Sequence, residues 1–191
     1  MKKLSYLLVG LLFFGGCSYK NESIDLKSYS TQYSGTKVKT AQKIYIALVK
    51  DERAVKRTIG QVMEGKKKVQ TLHSNEDFVK RYKEGLTYAL NIAGFNTKVS
   101  QEDADKVLEV YIQDIDITQS YDTFDKNVKG SVSIKIVSKQ GNKTNTFEFK
   151  EKSSAWKSKS YSSKDLEPFL YMLYTDSINR IVAKLASAKT L

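Results

Sequence analysis

Apolar residues recur every second position in several short runs of this chain and at helical spacing in two longer ones. In "KIYIALVK" (43–50), Ile44, Ile46 and Leu48 alternate with Tyr45, Ala47 and Val49, which predicts a strand with both faces covered. Periodicity lapses over "DERAVKRTIGQVMEGKKKVQTL" (51–72), where only Val69 to Leu72 suggest a short strand. "SNEDFVKRYKEGLTYALNIAG" (74–94) then places Phe78, Tyr82, Leu86, Ala89, Leu90 and Ala93 on one helical face. Ser74 is the expected N-cap, Glu76 and Asp77 suit the first turn, and Gly94 suits a left-handed C-terminal position.

The second half returns to a period of two. Leu108, Val110 and Ile112 share one parity, whereas Ile115 and Ile117 share the other, so a bulge is expected near Gln113 and Asp114. Val128, Val132, Ile134 and Ile136 alternate again, "QGNK" (140–143) reads as a hairpin turn, and Phe147 and Phe149 face inward on the returning strand. A last helix begins at Ser162 or Ser163, with Pro168 near its first turn. Leu166, Phe169, Leu170, Leu173, Ile178, Ile181, Val182 and Leu185 make its apolar stripe. The order strand, helix, three antiparallel strands, helix predicts an α+β domain over 41–191: a mostly antiparallel sheet with two helices packed on one face.

The N-terminus follows another logic. Met1-Lys2-Lys3 is positive, Leu4 to Phe14 is almost wholly apolar, and Gly15-Gly16 precede the only cysteine, Cys17. This is the layout of a cleaved secretory signal, too short for a comfortable membrane span. Phe14-Gly15-Gly16-Cys17 resembles the lipobox of bacterial lipoproteins, with Phe where Leu is usual. The resemblance implies a signal peptide over 1–16 and lipid attachment at the Cys17 sulfur. The alternative is an ordinary signal cut elsewhere, leaving a free thiol. Residues 17–40, rich in Ser, Lys, Thr and Tyr, read as a flexible, lipid-anchored tether. Ser18 after the cysteine, by resemblance to Gram-negative sorting, favours the outer membrane.

Composition narrows the function. A length of 191 residues suits one domain, and one Pro with ten Gly excludes collagen-like and Pro-rich chains. The net charge of +11 suggests an anionic neighbour: headgroups, a wall polymer or nucleic acid. A secreted lipoprotein rarely meets nucleic acid, so none is expected as a partner. With Cys17 acylated no thiol remains, and one histidine, His73, leaves no expected zinc site or cofactor. Asp114 and Asp116 share a strand face. They could act as paired carboxylates on a glycan, but alternating acids more often form the solvent side of a strand. Asp51, Glu52 and Arg53 could form a partner-binding loop or a local ion pair of little worth. Trp156, in "SSAWKSKSY", could stack on sugar, sit at a membrane interface, or simply pack at a sheet end.

Several stretches taken in order carry a family resemblance: the Gly16-Cys17 site, "KDERAVKRTIG", "LNIAGF", "LEVYIQDIDI", "SIKIVSKQGNKTNTFEF" and "LYTDSINRIVAKLA". Together they resemble the YajG-type lipoproteins, an outer-membrane family of Gram-negative bacteria, over most of 43–186. The insertion "GQVMEGKKKVQ" and the lysine richness depart from that pattern. The resemblance implies location and fold, not mechanism. The expected function is a non-enzymatic, membrane-anchored envelope lipoprotein on the periplasmic side of the outer membrane. It would bind an envelope protein or peptidoglycan, with Cys17 as lipid site and Asp51, Arg53 and Trp156 as partner-binding candidates. Its competitors are an auxiliary lipoprotein of a lipid or surface-polymer transport system, with an apolar groove, and a wall-acting enzyme, with a carboxylate cleft.

Overall fold

The computed structural model describes residues 20–26, 32–121, 127–158 and 162–187. Six strands form one open sheet: β1 (Ile44–Asp51), β2 (Thr58–Glu64), β3 (Lys67–His73), β4 (Lys106–Ser120), β5 (Val128–Gln140) and β6 (Lys143–Ala155). Helices α1 (Phe78–Ile92) and α2 (Glu167–Ser187) both pack on one face, α2 entered through a 3₁₀ turn at Ser163–Leu166. The order across the sheet is β3-β2-β4-β5-β6. The long β4 holds two strands end to end along one edge. β1 runs parallel to its first half, Ile44 to Asp51 against Lys106 to Ile112, and β2 runs parallel to its second half, Gly60 to Met63 against Ile117 to Ser120. The β2–β3, β4–β5 and β5–β6 pairs are antiparallel.

The predicted apolar faces are the core except in β1, where the register slips between Ile46 and Leu48 and leaves Leu48 40% exposed on the uncovered side. All six named residues of α1 and all eight of the last helical stretch are buried, opposite Ile44, Ile46, Leu108, Val110, Ile112, Val132, Ile134 and Ile136. Burying a large apolar side chain contributes about 1.5–3 kcal/mol, so this layer dominates stability. Between the helices, Tyr82 and Tyr174 meet edge to face at 5.0 Å. The Tyr174 hydroxyl donates to the Phe78 carbonyl at 2.7 Å, and the hydroxyls of Tyr82 and Ser177 share a 3.2 Å bond. Both tyrosines are thus buried with their polar ends satisfied.

The phase change in β4 is a bulge: Ile112 pairs with Ile134 and Asp114 with Ser133, which leaves Gln113 extra. Gly94 closes α1 with φ +93. The N-cap is Asp77, whose carboxylate accepts from the Lys80 amide at 2.9 Å, and not the expected Ser74. Ser74 instead braces the preceding turn by accepting from the Glu76 amide at 3.1 Å. β2 corrects the reading of 51–72 as aperiodic. It forms a full hairpin with β3, and its disguise is Gly60, whose φ of +150 sits where the register slips between Thr58 and Gly60.

The folded body also begins upstream of residue 41. Within the stretch read as tether, Ile24 and Leu26 are core residues and Tyr33 is buried. The Ile24 amide donates to the His73 carbonyl at 3.0 Å, and the Leu26 amide to Glu76 Oε2 at 2.8 Å. Cys17 and the signal region lie outside the described residues.

Candidate functional site

At the end of β1 the backbone turns, and Asp51 and Arg53 face one another. Arg53 Nε donates to Asp51 Oδ1 at 3.0 Å and a terminal nitrogen to Oδ2 at 2.7 Å, a bidentate fork. The same guanidinium donates to the Lys56 carbonyl at 2.7 Å and lies 4.8 Å from the Phe78 ring centre. Side-chain exposures are 5% for Arg53 and 8% for Asp51. Burial pushes the Asp51 carboxyl up, but the Arg53 hydrogen bonds and charge, with Lys56, outweigh it and hold the carboxyl below its usual range. Of the two roles weighed for this triplet, the geometry matches an ion pair, and a buried one. It ties the β1–β2 loop to the start of α1, and its charged atoms are engaged with each other.

The helices cover only one face of the sheet. By register, the other face presents Tyr45, Leu48 and Lys50 from β1, Glu109, Tyr111, Asp114, Asp116 and Thr118 from β4, and Lys129, Lys135 and Lys139 from β5. Glu148, Lys150 and Lys152 of β6 continue it. The Tyr111 hydroxyl donates to Glu109 at 2.8 Å, and Lys139 donates to the other oxygen of that carboxylate. Lys135 lies 4.5 Å from the Tyr111 ring centre and reaches Glu52 at 3.5 Å. The bond from Lys139, then that from Tyr111, lowers the Glu109 pKa, while the bond to Glu109, then burial, raises that of Tyr111. Glu109, Tyr111, Lys135 and Lys139 were not singled out as candidates. The available signal was the alternation of β4, which sets Glu109 and Tyr111 opposite its apolar face.

Asp114 and Asp116 sit on this open face, beside a 430 Å³ concavity that Gly60, Gln61, Lys68 and Gln113 also line. Desolvation, then the charge of Asp114, raises the Asp116 pKa. Among the described residues no group of three His, Cys, Asp or Glu is arranged to hold a metal ion, and no described helix is long and apolar enough to cross a membrane.

Trp156 is 61% exposed just beyond β6. Asp51 is level with Ile112 of β4, while Ala155 is level with Val128 and so with Gln119. The tryptophan is therefore about 20 Å along the strands from the ion pair, and the two do not form one site.

Comparison with known proteins supplies a family but no activity. Residues 31–185 match a family described as uncharacterised lipoprotein, and no curated protein matches the chain. A solved structure of an uncharacterised protein superposes with a TM-score of 0.51 at 10% identity, covering 86% of this chain and 99% of that one. A hypothetical protein from Chlamydia trachomatis gives 0.51 at 12% identity, over 77% and 96%. A Xanthomonas campestris protein gives 0.49 at 8%, over 83% and 91%. At such identities the likeness is one of fold, while the family match covers most of the chain and associates it with the cell envelope. The chain belongs to this family of uncharacterised lipoproteins, as the resemblance to the YajG-type proteins implied.

Proposed function

We propose that the mature protein is anchored by acyl chains on Cys17 to the periplasmic side of the outer membrane. There it works as a binding or accessory module for another envelope component, peptidoglycan or a protein, and not as an enzyme. One observation carries the reading: among the described residues, the sheet is covered by helices on one face and left open on the other. That open face offers tyrosines, lysines and a few carboxylates. Seven of its lysines (Lys50, Lys68, Lys129, Lys135, Lys139, Lys150 and Lys152) outnumber Glu109, Asp114, Asp116 and Glu148, which suits an anionic polymer or an acidic protein surface. Sugar rings stack on exposed aromatic faces, and Tyr45 and Tyr111 stand on this side.

An acyl-carrier role gains no support from the packing. Tyr82, Leu86, Leu90, Leu173, Tyr174 and Ile178 fill the space between helices and sheet at 0% exposure, leaving no room there for a lipid tail. The test is co-sedimentation of the mature lipoprotein with purified peptidoglycan, alongside crosslinking in intact cells. Sedimentation with the polymer supports the wall, a discrete crosslinked species supports a protein partner, and failure of both rejects the binding reading.

A further inference from the structure

Four features converge on one end of the molecule. The first is the N-terminal segment. Ser163 donates its amide to the Lys20 carbonyl at 3.1 Å, the Glu22 amide donates to Ser163 Oγ at 2.7 Å, and Ile24 is fully buried. Asn21 reaches the Thr71 carbonyl and Ile24 the His73 carbonyl, so the segment runs alongside β3 in the same direction. Lys20 therefore lies at its end nearer the β2–β3 turn. Only three residue steps separate Cys17 from Lys20, a reach of at most about 10 Å.

The second feature is the β2–β3 turn itself. Met63 is level with Ser120 at the end of β4, so Gly65 and exposed Lys66, Lys67 and Lys68 lie at this end. The third is Trp156, which follows Ala155, level with Val128 and Gln119 at that same end. The neighbouring Lys157 donates its ammonium to the Asp165 carbonyl, which places the tryptophan beside the turn that holds Lys20. The fourth is a concavity of 650 Å³ lined by Leu26, Pro168 and Tyr171, by Lys157 and Lys164, and by the acids Asp25, Asp165 and Glu167.

We propose that this end, with Lys66, Lys67, Lys68, Lys157, Lys164 and Trp156, rests on an anionic phospholipid surface with Trp156 in the headgroup layer. The inference rests on the reading of Cys17 as acylated. A chain so anchored, and pinned at Lys20, holds this end within about 10 Å of the lipid. Tryptophan favours the headgroup level because its ring is apolar and its N–H is wet. Lysines near an anionic leaflet are drawn to it by its negative surface potential. Glu22, Glu64 and Asp165 at this end, with Asp25 and Glu167 around the concavity, offset most of that, and Lys20 with the five lysines named above exceeds them by one. The strands then rise from the membrane, and the Gly141–Asn142 turn at the far end of the 13-residue β6 stands about 40 Å from it.

Trp156 is the only tryptophan, so fluorescence reports this site alone. The mature full-length lipoprotein is reconstituted into phosphatidylethanolamine–phosphatidylglycerol vesicles whose acyl chains are brominated near the headgroup. Mass spectrometry of the same sample reads the lipid on Cys17. The account expects blue-shifted, quenched emission, weakened when Lys66, Lys67 and Lys68 are replaced by Glu. It also expects quenching to fall to the detergent level when about 20 Gly/Ser residues are inserted between Tyr19 and Lys20. Acylated protein with unquenched Trp156 overturns the orientation and leaves the anchor standing. Absence of lipid on Cys17 overturns both.

Discussion

Asp51 and Arg53 show how a charged pair changes meaning with burial. On an open loop such a pair contributes about 0–1 kcal/mol. Here both side chains are nearly inaccessible, and the guanidinium also satisfies two loop carbonyls. Arg53→Ala leaves the Asp51 carboxylate buried without its partner, and chemical denaturation should show a loss of about 3 kcal/mol. Because the folded pKa of Asp51 is lowered, its contribution is complete above the ordinary carboxylate range and disappears as pH falls through the folded value. Asp116 carries the opposite sign. Its raised pKa means the folded state holds the proton more tightly, so wild-type stability falls as pH rises through the carboxylate range. Asp116→Asn should therefore gain a few tenths of a kcal/mol at pH 7 and nothing at pH 3, measured as the shift in denaturation midpoint.

At the level of elements, Gly60 and Tyr174 are the joints to break. A Cβ on Gly60 would come within 1.9 Å of the Ile117 carbonyl oxygen, and φ is +150. Gly60→Ala should detach β2 from β4 at a cost of about 1–3 kcal/mol or more, visible as faster amide exchange in β2 than in β5. Tyr174→Phe removes one of the two side-chain hydrogen bonds described between the helices, and about 1 kcal/mol of stability should go with it in thermal melts.

These joints also mark what could be read from sequence. The two helices, the β4 bulge and the β5–β6 hairpin were legible because each keeps a single period over many residues, and Gln113 announced itself by flipping parity. β2 was hidden because its strand is short, interrupted by Gly60 and followed by lysines that belong to a turn. The parallel pairing of β1 and β2 with β4 was not legible either, since register between distant segments leaves no local pattern. Ile24 and Leu26 were lost in polar surroundings, two apolar residues being too few to show a period. For the candidate sites, alternation put Asp114 and Asp116 correctly on one face. Whether Asp51 and Arg53 were buried depended on Phe78 and the Thr58 carbonyl, which only the folded chain brings near.

As a whole, the molecule has the end we assign to the lipid surface, a helical face and an open sheet face, and each asks for a different neighbour. On the proposed reading, Cys17→Ala should abolish acylation and move the protein out of the membrane fraction, read by mass spectrometry and fractionation. The proposed function requires that the open face bind an envelope partner. Its most direct test is a photocrosslinking amino acid placed at exposed Lys150 on that face and, separately, at exposed Glu84 on α1, in the lipid-anchored protein in living cells. A discrete adduct, with a protein or with peptidoglycan fragments, is expected from position 150 and none from position 84. Equal capture from both positions, or none from either, would contradict it.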